Sequence, residues 1–170
     1  MSNQSNVINH IKAIKYYKLT QYMANLFSKD PSVKVGALFM YPRTFQILSM
    51  GYNGMPRGID ETIPERWVRP LKSKLVEHAE RNAIYYAVHA GTSLRDSICV
   101  VSMCPCTECA KGIIQSGCKM VITRDIADFE KDEPETVARW KPEWDISIGM
   151  MKEAGVTLIF LTKEDIMSIQ

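Results

Sequence analysis

An α/β fold, a three-layer α/β/α sandwich on one mixed sheet of about five strands, is predicted by three features of this chain. Two short β-prone runs, Val33 to Phe39 and Phe45 to Met50, flank Tyr41-Pro42-Arg43-Thr44 and read as an opening hairpin. Strand-like and helical runs then alternate to the end of the sequence. The length of 170 residues suits one ordinary domain with a buried sheet and covering helices, so residues 1–170 are read as a single unit.

The elements follow in order. Residues 1–11 read as a loose tail. From Lys12 to Phe27, the apolar residues Ile14, Tyr17, Met23, Ala24 and Phe27 recur at roughly helical spacing. Asp30-Pro31-Ser32 ends that pattern, because proline disfavours helix in the residue before it. After the hairpin, Gly51-Tyr52-Asn53-Gly54-Met55-Pro56-Arg57-Gly58 is too rich in glycine and proline for a regular element. The loop is expected to run to about Ser73, and a loop of that length in a compact domain is often functional. A helix is predicted over Glu77 to Ala90, stopped by Gly91, and another over Cys106 to Ser116, stopped near Gly117. Strands are predicted over Ile98 to Met103, Lys119 to Thr123 and Val156 to Leu161. The stretch Asp125 to Pro142 is charged and irregular at first, and Trp144 to Ala154 reads as a helix.

Hydrophobic residues make up 46% and charged residues 24%, a globular profile. The formal net charge of +2 favours a small ligand over a nucleic-acid polymer. The polar start, MSNQSNVINHIK, has no apolar core of a signal peptide, and no run approaches the roughly 20 apolar residues that span a bilayer. The cysteines Cys99, Cys104, Cys106, Cys109 and Cys118 are odd in number and crowded into one stretch. Such a set makes a poor disulfide framework and points to a reducing, cytoplasmic setting and to metal ligation.

Two clusters carry chemistry: His78-Ala79-Glu80 and Pro105-Cys106-Thr107-Glu108-Cys109. Each falls where a loop or strand gives way to a helix. A Cys-x-x-Cys pair at a helix N-terminus aims both sulfurs at one point, and the N–H groups and dipole there favour thiolate. With His78 the set offers three ligands, which leaves the fourth tetrahedral position of a Zn²⁺ ion open to water, whose pKa zinc lowers towards about 7. Glu80, two residues beyond His78, points elsewhere and suits a proton carrier rather than a ligand. A closed structural site would need a fourth ligand, for which Cys104 is the candidate. An extended backbone alternates its side chains, so Cys104 is assigned to packing, as are Cys99 and Cys118. His10 and His89 have no partner in sequence that suggests a role.

The pattern H-x-E…P-C-x-x-C resembles that of zinc deaminases acting on bases. Asp30-Pro31-Ser32, Lys34-Val35-Gly36-Ala37, Gly51-Tyr52-Asn53-Gly54-Met55-Pro56, His78-Ala79-Glu80-Arg81-Asn82-Ala83-Ile84, Pro105-Cys106-x-x-Cys109-Ala110-Lys111 and Ile113-Ile114-Gln115-Ser116-Gly117 together resemble the deoxycytidylate deaminases of the cytidine deaminase-like superfamily. The resemblance runs from about Asp30 to Leu161 and implies the cytidine deaminase-like fold and deamination of dCMP to dUMP.

By position, the resemblance implies zinc on His78, Cys106 and Cys109 and a proton shuttle at Glu80. It implies a sugar-hydroxyl contact at Asn53, or else a turn residue there, and packing of Val35 against the base, or else a core strand valine. The Ala79 N–H would hold the pyrimidine carbonyl, and the Cys104 carbonyl would accept from the exocyclic amine. Lys34 and Arg57 are the phosphate candidates. The family further implies a homo-oligomer, often a hexamer. It implies activation by dCTP with a divalent ion such as Mg²⁺ and inhibition by dTTP, involving the loop of Gly51, Tyr52, Gly54 and Met55. Relatives place a substrate-facing aromatic within 125–141, where this sequence offers no clean counterpart.

Other readings differ at defined points. Deaminases of free cytidine usually carry cysteine where this chain has His78. A tRNA adenosine deaminase would need a basic face. A dCTP or dual dCMP/dCTP deaminase would differ in loops that read the phosphates, and a zinc-stapled binding protein would have no use for Glu80.

Overall fold

The computed structural model describes residues 8–169. The elements in chain order are α1 (His10–Phe27), β1 (Gly36–Met40), β2 (Ile47–Tyr52), a 3-10 turn (Pro64–Trp67), α2 (Lys72–Leu75) and α3 (Ala79–His89). They continue with β3 (Ile98–Val101), α4 (Thr107–Gln115), β4 (Met120–Arg124), α5 (Ile126–Asp132), α6 (Pro134–Glu153), β5 (Thr157–Leu161) and α7 (Lys163–Met167). The five strands form one sheet in the order β2-β1-β3-β4-β5. β1 pairs antiparallel with β2 and β3, whereas β3–β4 and β4–β5 are parallel.

Strand alternation divides the core into two layers. From β1, Leu38 and Met40 join Ile14 and Tyr17 of α1 on one face. Ala37 and Phe39 face Ala79, Ala83 and Ala87 of α3 and Ala110 and Ile113 of α4 on the other. Helices thus cover both faces, as the sequence predicts. Glycine allows the closest approaches. A Cβ at Gly36 would lie 2.1 Å from the Thr20 carbonyl oxygen, and one at Gly51 would lie 2.5 Å from the Ala83 nitrogen.

The structure corrects four readings. Asn9 caps α1, accepting from the Lys12 N–H at 2.8 Å, and Ile8 is buried, so the ordered chain starts before residue 11; residues 1–7 of the expected tail lie outside the described residues. The expected loop to Ser73 is broken by the 3-10 turn and α2. The stretch 125–142 is helical, with α6 running through Pro142. Pro142 removes the hydrogen bond to the carbonyl four residues back, on Ala138, and both residues are exposed, so water can replace it. His10 does have a partner, with Nε2 2.7 Å from Asp165 Oδ1.

Tyr17 is fully buried, and its hydroxyl donates to the Ser102 carbonyl at 3.0 Å. Burial raises its pKa from 10.0 to about 12, against a smaller opposing pull from Arg124. Between those values the folded chain keeps a proton that the unfolded chain has lost. Stability from this group is therefore whole below about pH 10 and falls by about 2–3 kcal/mol as the pH rises towards 12. Replacing Tyr17 with Phe should cost about 1–2 kcal/mol at neutral pH and remove this alkaline slope. Urea midpoints of the two proteins should converge between about pH 9 and about pH 11, and a constant separation would refute the account.

Candidate active site

One end of the sheet collects the chemistry. The start of β1, the end of β2 and the end of β3 lie side by side there, because Gly36 pairs with Tyr52 and Ala37 with Val101. Val35, Asn53, Met103 and Cys104 extend from those strand ends into a cavity of about 740 Å³. Helices α3 and α4 start at the same end and add His78, Ala79, Glu80, Arg81 and Cys106 to its walls. Ligand sites in parallel sheets lie beyond the strands' carboxyl ends for the same reason, since the connections to helices open there.

His78 is the N-cap of α3 and Cys106 the N-cap of α4, both with extended backbone. His78 Nδ1 lies 3.4 Å from Cys106 Sγ and 3.5 Å from Cys109 Sγ. Their ligand atoms all fall within 4.8 Å of one another, and no fourth His, Cys, Asp or Glu joins the group among the described residues. A tetrahedral zinc with ordinary Zn–S and Zn–N bonds requires N···S separations of about 3.6 Å, so the donor set fits that metal. Cys104 is buried beside the group without belonging to it, and burial pushes its thiol up to about 12.

The three donors polarise one another. The pKa of Cys106 is lowered to about 4, first by the hydrogen bond from the Cys109 thiol and then by His78, against the cost of burial. Cys109, which shares that proton, is raised. His78 is raised chiefly by its hydrogen bond with Cys106, with burial opposing. Glu80 is almost fully buried, and burial pushes its carboxyl above the ordinary carboxylate range, while His78 beside it pulls the other way. A carboxylate with raised proton affinity next to a metal-binding donor set can take a proton and give it back.

The other predicted residues divide. Val35, Asn53, Ala79 and Cys104 line the cavity. Asn53 is buried and its amide is fully engaged within the protein. Its Nδ2 donates to Asp30 Oδ2 at 3.0 Å and to the Val33 carbonyl at 2.8 Å. Its Oδ1 accepts from the Val35 N–H at 2.8 Å and from Ser28 Oγ at 2.9 Å. Lys34 and Arg57 are absent from the cavity walls: the Lys34 ammonium donates to the Asn25 carbonyl, and the Arg57 guanidinium lies 5.3 Å from the Tyr86 ring centroid.

Gly51, Tyr52, Gly54 and Met55 likewise lie outside those walls. Their segment fastens β2 to α3: the Tyr52 carbonyl accepts from Asn82, and Gly54 and Glu77 exchange backbone hydrogen bonds at 3.1 and 2.8 Å.

Sequence reasoning missed several wall residues. Arg69, Lys72 and Ser73 come from the segment expected to be loop. Glu135, Thr136, Arg139, Trp140, Glu143 and Trp144 come from α6, and Trp140 meets His78 edge to face with ring centroids 5.9 Å apart. An aromatic residue within 125–141 thus lines the cavity. The spacing of Val137, Trp140, Trp144 and Met151 signals this helix, and Pro142 obscures it.

The model of the cytidine and deoxycytidylate deaminase zinc-binding region matches residues 11–124. The deoxycytidylate deaminase of Pongo abelii is 38% identical over 132 residues, 74% of this chain and 71% of the relative. An uncharacterized deaminase of Aliivibrio fischeri is 32% identical over 152 residues, 88% of this chain and 92% of the relative. The crystal structure of the dCMP deaminase of cyanophage S-TIM5 in complex with dCMP and dUMP superposes with a TM-score of 0.69 at 25% identity, covering 91% of this chain and 99% of that one. With the metal-binding triad, the neighbouring acid and these likenesses in agreement, the chain belongs to the cytidine and deoxycytidylate deaminase family, a family of zinc-binding enzymes.

Proposed function

We propose that this chain hydrolyses dCMP to dUMP and ammonia, supplying dUMP for thymidylate synthesis. The observation that carries the reading is the buried Glu80 carboxyl in one cavity with His78 and Cys106 of the His78–Cys106–Cys109 triad, in a chain that is similar to deoxycytidylate deaminases over most of its length. His78 Nδ1 and the two sulfurs would hold zinc, which when bound supplies the Lewis acidity that makes water a nucleophile near neutral pH.

The chain's own groups do the rest. Glu80 takes one proton from the attacking water and passes it to the ring nitrogen, then takes the second proton from the hydroxyl newly formed at the pyrimidine carbon and gives it to the departing amine, so that water's oxygen replaces ammonia at that carbon. The Ala79 N–H holds the ring carbonyl and the Cys104 carbonyl accepts from the exocyclic amine. Val35 and Trp140 enclose the base, and Asn53, whose amide is engaged within the protein, fixes the 28–35 loop that borders the sugar. Assembly into a homo-oligomer such as a hexamer, activation by dCTP with a divalent ion and inhibition by dTTP complete the proposal. The segment of Gly51, Tyr52, Gly54 and Met55, fastened to the same helix that carries His78 and Glu80, is the connection between effector and site. Among the described residues no helix is long and apolar enough to cross a membrane.

Glu80→Gln should keep its zinc and lose about 10²- to 10⁴-fold in kcat for dCMP. Near-native turnover measured by ammonia release would remove Glu80 from the proton-transfer role. Cys106→Ala should lose both metal and turnover, and an unchanged zinc content by elemental analysis would refute its assignment as a ligand. For regulation, dCMP saturation curves should shift or become sigmoidal on addition of dTTP. Superimposable curves with and without it would rule the effector out.

A further inference from the structure

The cavity walls carry charges of both signs. α6 and the start of α4 contribute a mixed set: Glu143 accepts from Thr107, Glu108 pairs with Lys111, and α6 adds Glu135 and Arg139. The segment from Arg69 to Ser73 is cationic. Lys72 is buried, and its ammonium donates to Asp30 Oδ1 at 2.6 Å and to Ser32 Oγ at 3.2 Å. An ammonium has three N–H groups, so one remains for a ligand. The Arg69 guanidinium donates to Ser73 Oγ at 2.6 Å and, among the described residues, pairs with no carboxylate, which leaves most of its fork unused.

Asp30 cannot cancel this charge. Its Oδ1 also accepts from the Ser32 and Val33 N–H groups at 2.8 and 3.2 Å, and its Oδ2 accepts from Asn53. One carboxylate therefore faces two cations, and the excess charge is positive. The Ser32 hydroxyl, which accepts from Lys72, keeps its own proton to donate.

We infer that Arg69, Lys72 and Ser32 form the subsite for the 5′-phosphate of the nucleotide, in place of Lys34 and Arg57, which lie outside the cavity. This inference rests on the nucleotide-deaminase reading above and assigns which residues distinguish a nucleotide from a nucleoside. Arg69 supplies a planar fork suited to phosphate oxygens, and Lys72 supplies a fixed point charge already oriented by Asp30.

The test compares dCMP with deoxycytidine in turnover, and dUMP with deoxyuridine in calorimetric binding, on the zinc-loaded protein. Arg69→Gln and Ser32→Ala alter exposed side chains, so both should fold. Arg69→Gln should raise KM for dCMP about 10- to 100-fold and leave kcat/KM for deoxycytidine unchanged, with Arg69→Lys recovering part of the loss. Ser32→Ala should act in the same direction with a smaller effect. The dUMP affinity of Arg69→Gln should fall by the same factor and that of deoxyuridine should not. Equal losses with nucleotide and nucleoside, or no loss with either, would overturn the subsite. Should the wild-type protein fail to deaminate dCMP, the functional reading falls, and the binding arm still judges the subsite: dUMP bound no more tightly than deoxyuridine would refute it.

Discussion

The structure depends on bringing one imidazole nitrogen within 3.4 to 3.5 Å of two sulfurs carried by a different helix. Two helix N-termini have to be held at one end of a sheet to achieve this, and small residues make the approach possible. Ala79, Ala83 and Ala87 on α3 and Ala110 on α4 are all buried, and they let α3 lie close on β2 and β1 with α4 packed beside it. A side chain at Gly51 would collide with the backbone of α3, the helix that His78 caps. Core packing and metal chemistry are the same constraint here, since a shift of about 1 Å would be felt by zinc ligands whose bond lengths are narrowly set.

A second constraint lies beside the first. Asp30 and Lys72 form an ion pair whose side chains are only 3% and 9% exposed. Taking both charges out of water is costly, and such a pair persists only when its remaining hydrogen-bonding capacity is filled. Here Asn53 and the Ser32 and Val33 N–H groups fill it on the Asp30 side. The pair is weak evidence for stability and good evidence for placement. It ties the 28–35 loop to the α2 segment, and Asn53 passes that fixation to Val35 through a 2.8 Å hydrogen bond.

The legible part of the molecule is the part whose signal is local. Short β-prone runs alternate with helical ones, and His-x-Glu and Cys-x-x-Cys each open a helix, so the sheet, its two helical layers and the triad follow from short windows. The illegible part is set by tertiary contact. Lys72 carries no local signal of its burial, since lysine is rarely buried, and only Asp30, far away in sequence, explains its position. Arg57 and Lys34 sit in segments that look functional, and the backbone carries their side chains away from the cavity. Pro142 suggests a break and instead occupies an exposed turn of a long helix, where a missing hydrogen bond costs least.

The division of the cavity walls has a further consequence. The residues that match the family's zinc-binding region end at 124, yet α6, beginning at Pro134, supplies six wall residues, including the indole set edge-on to His78. The His78–Cys106–Cys109 triad and Glu80 belong to the first turns of α3 and α4. The far wall belongs to a helix outside that region, anchored to it by Ser147, whose hydroxyl donates to the Pro105 carbonyl at 2.7 Å. That bond lands on the residue directly before Cys106. The helix that shapes the pocket is therefore mechanically joined to the loop that presents the sulfurs, so a change in α6 that alters the pocket without disturbing the triad must leave Ser147 and its approach to Pro105 intact.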